Sequence, residues 1–279
     1  MRPANPSDIA GIDAFLAQHA EKTMFLRANL ARFGLDEREH THGTRYVVEG
    51  PPGAVTGVFG LSNGGFVMGQ GQDWPGFARS ISGTEVIGIN GAADQVAAAR
   101  AALNLPGRTV LDRDEPHYRL DLDALVTDAF TGGRLRPPTL ADVPLLTRWN
   151  AAYTIDTLGA EDGPENEAEA LARTERMIAE DHGRVLEIDG TPVAMTAFNA
   201  RLPDMVQIGG VYTPPEHRGR GHARTAVGLH LIEARARGVK TSILFASGVP
   251  ACRAYEALGF HRIGLYTLVI FAEAMAVAA

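Results

Sequence analysis

One cysteine, Cys252, is all that the 279 residues hold. It cannot close an internal disulfide or found a thiolate metal cluster, so no metal is expected. No run of about twenty apolar residues occurs, which excludes a membrane-spanning helix. The apolar stretch Leu265–Ala279 is short and is interrupted by Glu273. Met1–Asp13 holds two prolines and two aspartates and no apolar core, so it does not read as a secretory leader, and the cytoplasm is the default compartment. Positive charge is also scarce: 26 Lys+Arg stand against 33 Asp+Glu, a net charge of −7. A nucleic-acid partner needs a broad basic face that this balance does not supply. A Gly-x-x-x-x-Gly-Lys-Ser/Thr phosphate loop is missing too, which disfavours a plain nucleotide binder.

What is present is ordinary in bulk and concentrated in detail. A hydrophobic share of 45% and a charged share of 21% describe a globular protein, and the length is natural for two domains. Residues 211–223 read Val-Tyr-Thr-Pro-Pro-Glu-His-Arg-Gly-Arg-Gly-His-Ala and run into an amphipathic helical pattern. The pattern predicts a strand, a tight loop and a helix N-terminus. Arg218, Gly219, Arg220, Gly221, His222 and Ala223 would turn several backbone N–H groups towards one point. First-turn N–H groups have no intrahelical partner and the helix dipole is positive there, so such a concavity suits phosphate. Gly219 and Gly221 lack a Cβ and let an anion approach the backbone. Arg218, Arg220 and Arg224 add charge, local enough to favour one small polyanion over a polymer.

Two stretches read alike. Arg2-Pro3-Ala4-Asn5-Pro6-Ser7-Asp8-Ile9 and Arg136-Pro137-Pro138-Thr139-Leu140-Ala141-Asp142-Val143 each carry Arg-Pro, then Asp at the same offset, then a helical pattern. Asp8 and Asp142 suit early-helix or cap positions. Strand–turn–strand patterns follow in both places: Tyr46–Glu49 with Val55–Phe59, and Val185–Ile188 with Val193–Phe198. A tandem duplication with its boundary near Gly132-Gly133 accounts for the shared order.

In the second half, Leu135–Pro137, Val185–Ile188, Val193–Asn199, Val206–Tyr212, Ser242–Ala246 and Arg262–Phe271 read as strands. Residues 141–153, 165–181, 221–237 and Pro250–Leu258 read as helices, with Gly238 and Gly259 as stops. The first half ends in a strand at Tyr118–Leu122 and a helix at about 92–103. Where its phosphate loop is expected, it has Gly88-Ile89-Asn90-Gly91-Ala92-Ala93-Asp94.

Arg218-x-x-Gly221-x-Ala223 and Tyr255-Glu256-Ala257-Leu258-Gly259-Phe260 together resemble the GNAT acyltransferase superfamily, whose signatures are Arg/Gln-x-x-Gly-x-Gly/Ala and Tyr-Glu-x-x-Gly-Phe. The order of elements resembles that fold across residues 134–272. The resemblance implies an α/β chain of the mixed-sheet (α+β) kind with two GNAT-like domains, each a central sheet flanked by helices. These would be a degenerate domain at 1–132, which does not bind the cofactor, and an acetyl-CoA-binding domain at 133–279. It also implies that the loop 218–224 holds the pyrophosphate of acetyl-CoA, and that backbone groups of Val211 and Thr213 pair with the pantetheine amides. Tyr255 would protonate the departing thiolate, and a backbone N–H near Val211 would steady the oxyanion.

Two departures stand out. Gly248 replaces an Asn that many members place on the pantetheine arm. Gln207 replaces the Glu that histone-modifying members use as a base, leaving Glu187, Asp204 or a water. The expected reaction is direct acetyl transfer to a primary amine of a small molecule or peptide; a non-catalytic acyl-CoA-binding regulatory module is the alternative. The expected partners are a coenzyme A thioester and an amine, with neither nucleic acid nor membrane, in a monomer or homodimer.

Other residues read more plainly. His40 and His42 are solvated loop residues, and His217 and His222 flank the phosphate loop, where they can add charge below about pH 6.5. Cys252 has no base partner in any motif and reads as packing. The acidic stretch 156–181 is a solvated face or a rim that attracts a cationic amine.

Overall fold

The computed structural model describes residues 1–278. The repeated opening motif takes the same form twice. Arg2 grips Asp8 through two hydrogen bonds of 2.6 Å each, and Arg136 grips Asp142 through bonds of 2.7 and 2.8 Å. Each aspartate also accepts the backbone N–H of the cap residue, Asn5 or Thr139, closing a capping box. The guanidinium fork matches a carboxylate geometrically, so the motif fixes how each first helix leaves its first strand.

The elements then follow in step. The first series is β1 (Arg2–Pro3), α1 (Ile9–Ala17), α2 (Ala20–Phe33), β2 (Thr44–Glu49), β3 (Gly57–Ser62), β4 (Phe66–Gln70), α3 (Trp74–Ser80), β5 (Glu85–Ala92), α4 (Ala93–Leu103) and β6 (Thr109–Asp121). The second is β7 (Arg134–Arg136), α5 (Val143–Leu158), α6 (Pro164–Ala179), β8 (Gly183–Ile188), β9 (Thr191–Arg201), β10 (Met205–Tyr212), α7 (His222–Ala236), β11 (Thr241–Phe245), α8 (Val249–Glu256) and β12 (His261–Ala276). Local chemistry explains several boundaries. Asp189 and Gly190, both at positive φ, make the two-residue turn between β8 and β9. Gly159 and Gly238 lie at positive φ just beyond the ends of α5 and α7.

The chain divides into two compact units, Met1–Glu115 with the segment from Gly264 onwards, and Pro116–Ile263. In the first, strands lie in the order β1-β2-β3-β4-β5-β12. Only β4 and β5 are parallel. In the second the order is β7-β8-β9-β10-β11-β6, and only β10 and β11 are parallel. The two sheets therefore share one plan, and each takes its sixth strand from the other half of the sequence. The segment Arg262–Phe271, expected to complete the second half, lies within β12 and pairs with β5 from Tyr266↔Ala92 onwards. In its place β6 pairs with β11, from His117↔Phe245 to Asp121↔Thr241. The compact units thus do not follow a cut of the sequence at residue 132, which marks a repeat of pattern.

In the second unit, Tyr118, Leu120 and Leu122 pack with Val227, Leu231 and Leu258 in the core under α7 and α8. The opposite face of that sheet carries Met195, Ala197 and Tyr212 against Leu146 and Trp149 of α5. The first unit has cores of its own, among them one around Phe59, Trp74 and Phe77 and one around Leu16, Leu26 and Tyr46.

Candidate active site

The strand–loop–helix expected at 211–223 is present. β10 ends at Tyr212, a short 3-10 turn spans Pro215–His217, and α7 starts at His222. Gly219 and Gly221 have φ values of +77° and +79°, a region that side-chain-bearing residues seldom adopt. A Cβ at Gly219 would meet nothing within 4 Å, so the loop is open there. One at Gly221 would sit 2.8 Å from Thr131 Cγ2 and 3.2 Å from a terminal nitrogen of Arg224. Arg224 thus lies beside the N-cap, and no side chain caps α7. An anion at this helix start would find unclaimed donors and a positive dipole end.

The basic side chains divide. Arg218 is turned away from the loop: its Nε donates to Thr213 O at 2.9 Å and its Nη2 to Asp156 at 2.9 Å. Its guanidinium also lies 5.6 Å from the Tyr212 ring centroid. Arg220 is exposed and Ala223 half-buried. His222 faces His217 across 6.3 Å. Burial, then His217 and Arg220, hold the His222 imidazole below its ordinary pKa.

The end of β10 is unpaired on one edge and irregular on the other. Its parallel pairing with β11 stops at Ile208↔Leu244, so Gly209–Tyr212 have no partner on that side. On the other side, β10 advances from Gly209 to Tyr212 while β9 goes only from Ala197 to Met195, and Gly210 sits at φ +57°. This is a bulge, which bends the strand and re-aims its backbone groups. Val211 and Thr213 fall within or just past the unpaired stretch, where an amide-bearing chain could add as a short strand. Thr213 Oγ1 is buried without a hydrogen-bond partner.

Tyr255 lies on α8, which begins after Gly248 (φ +94°) and is followed by Gly259 (φ +96°). Its ring packs at 6.0 Å from Phe260, and the residue is 8% exposed within the core under α7 and α8. The neighbouring Glu256 accepts the Tyr118 hydroxyl at 2.6 Å. That bond and burial push the Tyr118 phenol pKa upward. A strand from the first half of the sequence therefore helps hold the helix that carries Tyr255, a role no local motif signals.

The base candidates fare differently. Glu187 accepts Arg136 Nε at 2.7 Å and belongs to the Arg136–Asp142 cluster. Asp204 precedes β10, at the opposite end from the loop. Eight residues separate it from Tyr212, on the order of 25 Å of strand. Gln207 is buried, with Nε2 donating to Ile208 O at 2.6 Å. Among the described residues no group of three or more His, Cys, Asp and Glu could hold a metal ion, and no helix is long and apolar enough to cross a membrane.

The first unit's counterpart of this loop lies elsewhere than expected. Gly88–Ala92 belong to β5, which corresponds in sheet order to β11. The counterpart of the loop is the short link 71–73 between β4 and α3. There the donors are already taken. Glu49 accepts the N–H groups of Gln72 and Asp73 at 3.1 and 3.3 Å, and Asp73 accepts that of Gly76 at 2.8 Å. Two carboxylates thus fill the place where an anion would sit.

Comparisons with known proteins bear on the fold. The family model described as "Acetyltransferase (GNAT) family" matches residues 146–260, ending just before β12. No curated protein matches the chain. Solved structures match nearly throughout. A GCN5-related N-acetyltransferase from Kribbella flavida is similar at 15% identity, with 96% of this chain and 97% of that one covered and a TM-score of 0.56. One from Sphaerobacter thermophilus is similar at 16% identity, covering 100% and 95%, at 0.55. A tandem GNAT protein from the clavulanic acid biosynthesis pathway is similar at 17% identity, covering 96% of each chain, at 0.56. At such identities the likeness is one of fold.

Proposed function

With a GNAT-family acetyltransferase domain at residues 146–260 as the premise, we propose that the chain transfers an acetyl group from acetyl-CoA to a primary amine. The observation that carries this is the open, uncapped start of α7 beside a bulged strand whose edge is unpaired. Backbone N–H groups from Gly219 to Ala223 would hold the pyrophosphate, with Arg220, His222 and Arg224 adding charge and Arg218 bracing the loop. The Val211 and Thr213 backbone would pair with the pantetheine amides. The amine nitrogen would attack the thioester carbonyl directly, and a backbone N–H near Val211 would take the developing oxyanion. As the C–N bond forms and the C–S bond breaks, the amine proton leaves to water and Tyr255 protonates the thiolate. Coenzyme A and the acetylated amine are the products.

The first unit is read as a degenerate copy without its own coenzyme A site, because Glu49 and Asp73 occupy its helix start. Calorimetry with acetyl-CoA tests both points: one site per chain is expected, lost in Gly221→Glu. Equal binding by wild type and variant would remove the loop assignment. Unchanged turnover in Tyr255→Phe would remove the acid role. A second reading, an acyl-CoA-binding regulatory module, is favoured by Gln207, because an amide cannot act as a base. Tight acetyl-CoA binding without transfer to any amine would support it.

A further inference from the structure

Asp156 sits where its own helix does not favour it. It belongs to the last turn of α5, which carries no basic residue. A carboxylate there faces the negative end of the helix dipole. Its cation comes instead from the loop before α7, 62 residues on: Arg218 Nη2 donates to Asp156 Oδ2 at 2.9 Å. Arg218 Nε donates to Thr213 O, also at 2.9 Å, and the guanidinium lies 5.6 Å from the Tyr212 ring centroid.

These contacts close a circuit. The Tyr212 ring is 6.3 Å from that of Trp149, and both residues are buried in the core between α5 and the sheet. Trp149 and Asp156 are seven residues apart, about two turns, and so share one face of α5. That face holds the end of β10 through Trp149 and the loop through Asp156. The side chains of Arg218 and Asp156 are 50% and 52% exposed, and such a pair adds little to overall stability. Its effect is local. It fixes Arg218, whose backbone N–H closes the turn onto Pro215 O at 3.2 Å, and the N–H groups of Gly219–Ala223 follow directly.

We propose that Asp156 is a positioning residue for coenzyme A: by holding Arg218, it sets the loop in its binding form before the pyrophosphate arrives. This rests on the acetyl-transfer reading above. A loop ordered in advance removes the entropy penalty of ordering it on binding. Asp156 acts only through Arg218, since its own carboxylate would repel a phosphate. The same arginine orients the Thr213 carbonyl beside the unpaired end of β10, and a carbonyl oxygen keeps a second lone pair for another donor.

The test uses the full chain as wild type, Asp156→Ala, Asp156→Glu, Arg218→Ala and the Asp156→Ala/Arg218→Ala double variant. Two probes separate the loop from the strand: acetyl-CoA, and S-acetylpantetheine, which lacks the phosphates. Affinity is measured by calorimetry for acetyl-CoA and by ligand-observed NMR for S-acetylpantetheine, and melting temperature by scanning calorimetry. Asp156→Ala should raise the acetyl-CoA Kd about three- to fivefold, the scale of one exposed charge pair. Its S-acetylpantetheine Kd should stay within about 1.5-fold and its melting temperature within about 2 °C. Asp156→Glu should restore acetyl-CoA affinity. The double variant should bind like Arg218→Ala alone, because the two side chains act as one unit; additive losses overturn the inference. So does a tighter acetyl-CoA Kd in Asp156→Ala, which would mean that Asp156 withholds Arg218 from the phosphates. Loss of both ligands with a lower melting temperature overturns it too, as the mark of a merely structural contact. If wild type prefers acetyl-CoA and Asp156→Ala binds it equally well, the loop assignment stands and only the role of Asp156 falls. If wild type shows no preference for acetyl-CoA over S-acetylpantetheine, the loop assignment fails and this inference with it.

Discussion

Gly219 and Gly221 look equivalent in the sequence and are not equivalent in space. Both need a left-handed backbone, and any side chain there costs about 1–2 kcal/mol. Only Gly221 also has neighbours, Thr131 and Arg224, within reach of an added Cβ. Gly219→Ala should therefore cost about that backbone amount, and Gly221→Ala more, measured by urea denaturation. The histidines make a pH prediction. His230 is 1% exposed and stacks on Phe198 at 3.7 Å. Burial, with Arg184 and other nearby cations behind it, holds its pKa well below the ordinary value. Its folded pKa is thus lower than its unfolded one. Above about pH 6.5 it is neutral in both states and adds no pH dependence. Below that, the unfolded chain takes up a proton that the folded chain refuses, so stability falls by up to about 1.4 kcal/mol per pH unit. His222, lowered in the same direction, adds to the slope. Urea midpoints between pH 7.5 and 5.5 should drop in wild type and drop less in His230→Leu. Asp8 and Asp142, held down to about 2 by Arg2 and Arg136, contribute stability above about pH 4 and lose it only as pH falls from there towards 2.

At the scale of elements, the N-terminal half of α7 is pinned by the link after β6. Its first turn is tied to the link after β6, where Thr225 Oγ1 accepts Thr131 N at 2.9 Å. One turn on, Phe130 lies directly over Gly228, in the space that a Cβ would need. Gly228→Ala should push Phe130 off the helix and cost about 1–3 kcal/mol, as overpacking does. It should also weaken acetyl-CoA binding without touching the loop; melting temperature and calorimetric Kd check this. The short helix α8 depends on packing in the same way. A helix of eight residues between two left-handed glycines has little stability of its own. Its place is set by Tyr118 on β6 and by the Tyr255–Phe260 contact.

For the whole molecule, the exchanged sixth strands decide what can be cut. A fragment 133–279 would carry the loop, Tyr255 and the family signature, yet lack β6 and with it Tyr118, Leu120 and Leu122 from the core. It would also carry β12 with no β5 to pair with, leaving exposed edges that invite aggregation. It should be insoluble or unfolded. A fragment 116–263 keeps five strands of its sheet whole and the part of β6 that pairs with β11, and it should fold and bind acetyl-CoA. Circular dichroism and calorimetry on both fragments check this prediction.

The second-half elements and the loop could be read from the chain alone, because the signals for these are local. Glycines at 219 and 221, Arg2 and Arg136 at one offset from Asp8 and Asp142, and the Gly259-Phe260 stop each act within a few residues. The shared plan of the two sheets was legible in that repeated order. Which strand completes which sheet is set by long-range packing, since β6 and β12 both read as strands and nothing local names their partners. The same packing spends Glu187 on Arg136, puts Asp204 at the far end of β10, and brings Glu49 to the start of α3. Pairing between residues far apart in the chain depends on which hydrophobic faces close together, a property of the folded whole that no short window of sequence contains.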